Sequence, residues 1–190
     1  ATAAQTRADM TVVDVTYLQK NGFAVYGYAG TEAIFEKTQV TYANENALAT
    51  SATWAPEKMN EVKYWASGVT YKFSAYAPMD KATFSFTSAG VRSITSYTND
   101  GVTDLVVADK SNDFTLATTT TGDVTTATPV SMNFSHMLSR VKFTFVNSFT
   151  DTDVNINISD IKINEVGKVA SASISEDNVP TWNITERYAV

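Results

Sequence analysis

Few side chains in this sequence are equipped for chemistry, and their spacing narrows the field quickly. His136 is the only histidine. It cannot build a multi-histidine metal site, and a serine–histidine–aspartate triad would depend wholly on it. It lies in Phe134-Ser135-His136-Met137-Leu138, between two strand-like runs, where a structural imidazole hydrogen-bonded to backbone is the expected use. No serine sits in a G-x-S-x-G setting. Asp151, Asp153 and Asn155 imitate the opening of a calcium loop, D-x-D/N-x-D/N-G with an acid at position twelve. Position six is Ile156 and position twelve is Lys162, so the sharp turn and the bidentate acid are both missing. A solvated strand face explains these residues better, because Val154, Ile156 and Ile158 fill the opposite face. Glycoside hydrolysis needs two facing carboxylates, and none of the 20 acids sits in a recognisable setting for it. Trp54, Trp65 and Trp182 are candidates for stacking on a sugar, although tryptophans in a sandwich more often bury themselves. Arg7 is the first basic residue, in the flexible stretch Gln5-Thr6-Arg7-Ala8-Asp9, and an exposed arginine there suits an arginine-specific protease. The expectation is a protein without catalytic residues, metal or cofactor.

Composition agrees with a binding or assembling role. The chain has 190 residues, room for one sizeable core or two small ones, and a hydrophobic share of 44%. Threonine takes roughly one residue in seven, and with Val, Ile, Tyr and Phe it suits a pleated, half-buried surface. The net charge of −6 repels a phosphate backbone, and the nearest approach to a basic patch is Arg140 with Lys142. Nucleic acid is therefore excluded as an expected partner. The absence of cysteine removes disulfides, thiol catalysis and thiolate metal sites together. No apolar run reaches the ~18–20 residues that span a bilayer, so a membrane is met only through a lipid anchor absent from this chain. Residues 1–6 read as a small polar tether, as though a leader had been removed.

The elements that must position these residues are strands. Period-two alternation recurs from end to end. In residues 69–77, Val69, Tyr71, Phe73, Ala75 and Ala77 share one face and Thr70, Lys72, Ser74 and Tyr76 the other, until Pro78 stops the run. Residues 130–134 point Val130, Met132 and Phe134 inward, and residues 141–146 do the same with Val141, Phe143 and Phe145. Further candidates are 10–18, 23–29, 33–42, 82–86, 91–97 and 102–108. Residues 154–166 read as one long strand whose phase switches at Ser159-Asp160, which predicts a bulge or a corner between sheets. Turn signals separate the runs at Asn21-Gly22, Asn99-Asp100-Gly101, Thr121-Gly122-Asp123 and Glu176-Asp177-Asn178. The threonine-rich residues 118–128 read as a loop or a polar edge strand. Beyond one turn of helix near Pro56-Glu57-Lys58-Met59, little or no helix is expected. About a dozen short strands point to an all-β, two-sheet sandwich, or a barrel. Residues 1–9 are expected to be a flexible segment and 10–190 a single sandwich domain.

Three segments in order resemble the fimbrillin family, the type V pilus subunits and related fimbrial lipoproteins of the bacterial surface. The first is Tyr64-Trp65 followed by Tyr71-Lys72-Phe73-Ser74-Ala75-Tyr76-Ala77-Pro78, similar to a tryptophan followed by F-x-A-Y-x-P. The second is Asp104-Leu105-Val106-Val107-Ala108, similar to D-L-L-x-A. The third and most specific runs from Met132 to Phe143 and resembles F-x-H-x-L, then a small residue, a basic residue and valine. Pro180-Thr181-Trp182 is a weaker fourth echo.

The resemblance implies a transthyretin-like sandwich exported as a lipoprotein to the cell surface and outer membrane, matching the N-terminal domain of a two-domain fimbrillin. It implies maturation by a cut after an arginine near the start, for which Arg7 is the position here. The groove so opened takes a donor strand from the next subunit in a homo- or hetero-polymer. It also implies that Phe134, His136, Leu138 and Arg140 are structural rather than catalytic. The alternative function on the same scaffold is a cell-surface adhesin or glycan-binding module, with a host glycan or protein as ligand.

Overall fold

In the computed structural model, which describes residues 11–43, 54–66, 68–109, 114–115, 118–121, 124–127, 130–149 and 156–188, the period-two runs form two antiparallel sheets. In chain order the strands are β1 (Phe23–Ala29), β2 (Glu32–Tyr42), β3 (Trp54–Pro56), β4 (Thr70–Ala77), β5 (Ala82–Phe86), β6 (Arg92–Thr98) and β7 (Val106–Ala108). They continue as β8 (Phe114–Thr115), β9 (Thr118–Thr121), β10 (Val124–Ala127), β11 (Phe134–His136), β12 (Val166–Ile174) and β13 (Pro180–Tyr188). The larger sheet runs β11-β7-β4-β1-β2-β3, with β8 also paired to β4, and the smaller runs β13-β12-β6-β5. Strands β9 and β10 pair with each other, so the threonine-rich stretch is a small ribbon.

The two sheets face each other across a closed core. Ala24, Tyr76 and Val107 from the larger sheet meet Phe84, Phe86, Ile94, Tyr97, Ala172 and Ile174 from the smaller. Burying such side chains contributes roughly 1.5–3 kcal/mol each. A second core lies behind the larger sheet, where Phe23, Val25, Tyr71, Phe73, Ala75, Ala77 and Val106 pack with Leu18 and Val13. Strand β4 is therefore buried on both faces, unlike the half-solvated strand its alternation suggests. Tyr76 fills the intersheet core, and Ser74 is fully buried with its hydroxyl donating to the Ala108 carbonyl at 3.2 Å. The chain leaves β4 at Ala77, immediately before Pro78.

Several expected strands are corrected. Among the described residues of the 10–18 candidate, 11–18, no strand forms: an α-helix, α1 (Val15–Asn21), takes over the second half. Asp14 caps it, accepting the Tyr17 N–H at 2.8 Å, and Gly22 at φ 72° closes it. With seven residues the helix is too short to carry a readable period, and its buried Leu18 is held by the second core. The turn near Pro56 is a 3₁₀ turn at Met59–Glu61, while Pro56 itself ends β3. Residues 141–146, and 156–165 of the long candidate, belong to no sheet despite strong alternation, although Asp160 does stand at φ 55° where the phase switches. Strands β12 and β13 were not foreseen, because their Ala, Ser, Gly and Asn content dilutes the apolar pattern. Strand pairing in 102–108 is confined to β7 and an isolated bridge from Thr103 to Thr11, and the 130–134 candidate pairs only at Phe134, where β11 begins. Val130 and Met132 nonetheless pack inward on the second core, as their spacing predicts.

Candidate functional site

The three motif segments are neighbours in space. Strand β4 pairs with β7 through Tyr76 with Val107 and Ala77 with Val106, and β7 pairs with β11 through Phe134 with Ala108 and His136 with Val106. The Met137 N–H extends that register by donating to the Leu105 carbonyl at 2.8 Å. Phe134, half-buried, lays its edge on Phe23 at a centroid distance of 5.2 Å. Leu138 packs on the intersheet core, and Arg140 is exposed. Trp182 donates its indole N–H to the Met137 carbonyl at 3.1 Å, which joins the fourth echo to the third.

Asp104 gathers the contacts at one end of these strands. The loop before it is tied by Asp100, whose carboxylate accepts the Val102 amide, the Thr103 amide and hydroxyl, and the Lys81 ammonium. Burial works against that carboxylate, but the Thr103, Val102 and Lys81 hydrogen bonds win and hold it well below the usual range. Residues 11–13 run alongside 102–104. The Thr11 N–H donates to the Val102 carbonyl at 3.0 Å, and the Asp104 N–H to the Thr11 carbonyl at 3.1 Å. The Asp104 side chain then accepts the Val13 N–H at 3.3 Å and the Leu105 N–H at 2.8 Å. Its Oδ2 also lies 2.6 Å from His136 Nδ1. The histidine's partner is thus a carboxylate rather than the expected backbone group. The arrangement moors the segment that follows Arg7 to two motif strands, while Arg7 itself lies outside the described residues.

A second polar centre escaped the sequence reading. Arg92 is 2% exposed at the start of β6. Its guanidinium donates to the Ala108 carbonyl at 3.1 Å, to Asn178 Oδ1 at 2.6 Å and to the Ser175 carbonyl at 2.6 Å. Asn178, in the left-handed region at φ 60°, passes the link to the Val107 carbonyl at 3.0 Å. One side chain on the smaller sheet thereby grips the end of β7 and the β12–β13 turn. Burial pulls its pKa down, and Asp109 and Glu176 oppose that pull. A signal existed: Arg92 and Ile94 share a parity, so the arginine sits on the core face of its strand.

The remaining candidates separate. Trp54 and Trp65 are half-buried on the second core, against Phe23 and Tyr71, whereas Trp182 packs on Tyr97 at the intersheet core. The three indoles do not share one surface. A hollow of about 370 Å³ lined by Tyr17, Asn21, Gly22, Pro78, Met79 and Asp80 offers a single carboxylate. Among the described residues no group of three or more His, Cys, Asp or Glu side chains is placed to hold a metal ion. Asp151, Asp153 and Asn155 lie outside the described residues.

Two antiparallel sheets packed face to face, joined across strands by the Arg92 and Asp104 hydrogen bonds, define an all-β sandwich. The family model described as fimbrillin-like matches residues 6–187, nearly the whole chain. The chain belongs to the fimbrillin-like family, and so to a class of cell-surface fimbrial subunits. Neither the curated proteins nor the solved structures contain a significant match.

Proposed function

We propose that this chain is a structural or accessory subunit of a bacterial surface fimbria that assembles by donor-strand pairing between subunits. The observation that carries the reading is the family match from residue 6 to residue 187, which takes in both sheets and every motif segment. The sheet order adds to it. Strands β5 and β13 are outermost in the smaller sheet, and β3 and β11 in the larger, so each sheet has main-chain edges of the kind a donor strand pairs with. A donor burying about five apolar side chains at ~1.5–3 kcal/mol each contributes on the order of 10 kcal/mol before ordering entropy. In this reading residues 10–190 act as one sandwich domain, the subunit reaches the outer membrane as a lipoprotein, and a cut after Arg7 releases the segment before it while residues 11–13 stay moored at Asp104. Phe134, His136, Leu138 and Arg140 serve the fold that presents those edges.

The test is proteolytic assembly. Full-length precursor treated with an arginine-specific protease should give oligomer ladders on a gel, and Arg7→Ala should abolish them. Precursor that is cut at Arg7 and remains a plain monomer would remove the mechanism.

A further inference from the structure

The hollow between the C-terminal end of α1 and the turn from β4 to β5 holds about 370 Å³ and is lined by Tyr17, Asn21, Gly22, Pro78, Met79 and Asp80. Ligand sites run from ~300 to 1,000 Å³, so this volume suits one small ring rather than a length of peptide. Its walls are fixed by the fold. On the helix side the Gly22 N–H donates to the Leu18 carbonyl at 2.8 Å and closes α1. A Cβ on Gly22 would run into the Val40 carbonyl oxygen, so the glycine, at φ 72°, lets the helix end sit directly on β2. On the other side Pro78 is buried, and the Tyr76 hydroxyl donates to the Met79 carbonyl at 3.1 Å, which ties the turn to the intersheet core.

The polar groups around this hollow are matched to hydroxyls. Asn21 donates one side-chain N–H to the Tyr17 carbonyl at 2.9 Å, which fixes the amide and leaves its second N–H and its oxygen available. Asp80 is exposed, and its carboxylate has no hydrogen bond or ion pair among the described residues. Burial raises the pKa of the Tyr17 phenol, Asp80 raises it further and Lys81 opposes both, so the hydroxyl stays neutral and can donate as well as accept. The hollow thus offers an acceptor at Asp80, groups of both kinds at Asn21 and Tyr17, and apolar surface from Tyr17, Pro78 and Met79.

We propose that the hollow binds one neutral pyranose ring of a glycan, with the sugar's C–H surface on Tyr17 and Met79 and its hydroxyls on Asp80 and Asn21. A pyranose carries the complementary combination, hydroxyls that donate and accept around a ring with an apolar face. An anion would meet the Asp80 charge directly. A cation would find a single carboxylate, with Lys81 acting on the same phenol. A wholly apolar ligand would take Asp80 and Asn21 out of water without partners. Trp54, Trp65 and Trp182 play no part, since they pack on the two cores away from this hollow. The site lies within one chain and uses no strand edge, so it stands independently of donor-strand pairing and needs no proteolysis.

The experiment titrates the full, isotope-labelled chain with the methyl glycosides of glucose, galactose, mannose, fucose and N-acetylglucosamine, followed by amide NMR. One sugar ring in so small a site should bind with a Kd of about 1 mM. At least one glycoside should shift the amide signals of residues 17–22 and 78–81 and leave the rest of the spectrum in place. Asp80→Asn should weaken that binding about tenfold and leave the melting temperature unchanged, because the side chain is exposed. Tyr17→Phe keeps the ring and should weaken it by only a few-fold. Absence of shifts with all of the glycosides would overturn the proposal, as would shifts that map elsewhere. An Asp80→Asn variant that binds as well as the parent would do the same. Shifts in these residues with methylammonium chloride and with no glycoside would assign the hollow to a cation instead.

Discussion

At the scale of single residues, the polar groups that matter are those withdrawn from water and used as ties. Arg92 is the clearest, because its donors meet carbonyls and an amide from two separate stretches of chain, the end of β7 and the β12–β13 turn. Removing a buried hydrogen-bonding partner leaves the others desolvated and unpaired, which costs more than the bond itself contributes. Arg92→Met keeps much of the volume but takes the guanidinium donor from Asn178 Oδ1 and one of two donors from each of the Ala108 and Ser175 carbonyls, which keep the Ser74 hydroxyl and the Asn178 N–H. It should destabilise the fold by about 2–4 kcal/mol, measured by urea unfolding; a change under ~0.5 kcal/mol would mean that water replaces the guanidinium without penalty. Asp104 differs in that its partner His136 is half exposed, with a side-chain exposure of 56%. Water competes for that contact from the histidine's side, so the value of Asp104 lies chiefly in its acceptance of the Val13 and Leu105 amides.

At the scale of elements, what lies against a strand decides whether its alternation is used. The alternation of β1, β2, β4, β5 and β6 identifies them to within a residue or so, because one face of β1, β4, β5 and β6 meets the intersheet core and Ile34, Phe35 and Val40 of β2 pack on the second. The same alternation in residues 141–146 is as strong, yet no sheet accepts it, since pattern records what a face can bury and not whether a partner is present. Helix α1 was hidden for the opposite reason: its cap and its one buried leucine are local, while the surface that holds it is the second core, built from β1, β2 and β4. The motif residues were legible as a group, whereas their meeting at Asp104 depends on register and could not be read from spacing. Gly27 is a case where an element depends on a missing side chain. A Cβ there would meet the Phe73 ring at 2.8 Å and Phe35 at 3.0 Å, and the register of β1 against β2 shifts at this residue. Phe73 is itself buried between Trp65, Tyr71 and Phe35, so it has little room to retreat. Gly27→Ala should therefore cost about 1–3 kcal/mol, as overpacking does; a melting temperature unchanged from the parent would show that the ring moves freely.

At the scale of the whole molecule, stability depends on closing one sheet between two cores, and the 99–105 connection is where that closure is fastened. It follows β6 of the smaller sheet, leads into β7 of the larger, and carries the residues that moor 11–13. Asp100 organises it, which links global stability to pH. Its folded pKa lies below the ordinary 3.8, so between those two values the unfolded chain binds the extra proton. Stability rises with pH wherever the unfolded state is the more protonated. The contribution of Asp100 is therefore fully present above pH 4 and is lost as the pH falls through the folded value. Because about a third of the side chain is exposed, solvent moderates its size, and the direction and window are the prediction. Asp100→Asn should lower the urea midpoint by a constant amount from pH 7 down to about pH 5. The difference should then shrink towards zero as the solution is taken below pH 4 and the parent carboxylate is protonated. A gap between parent and variant that stays the same at pH 2.5 would mean that the loop is held by the shape of the side chain rather than by its charge.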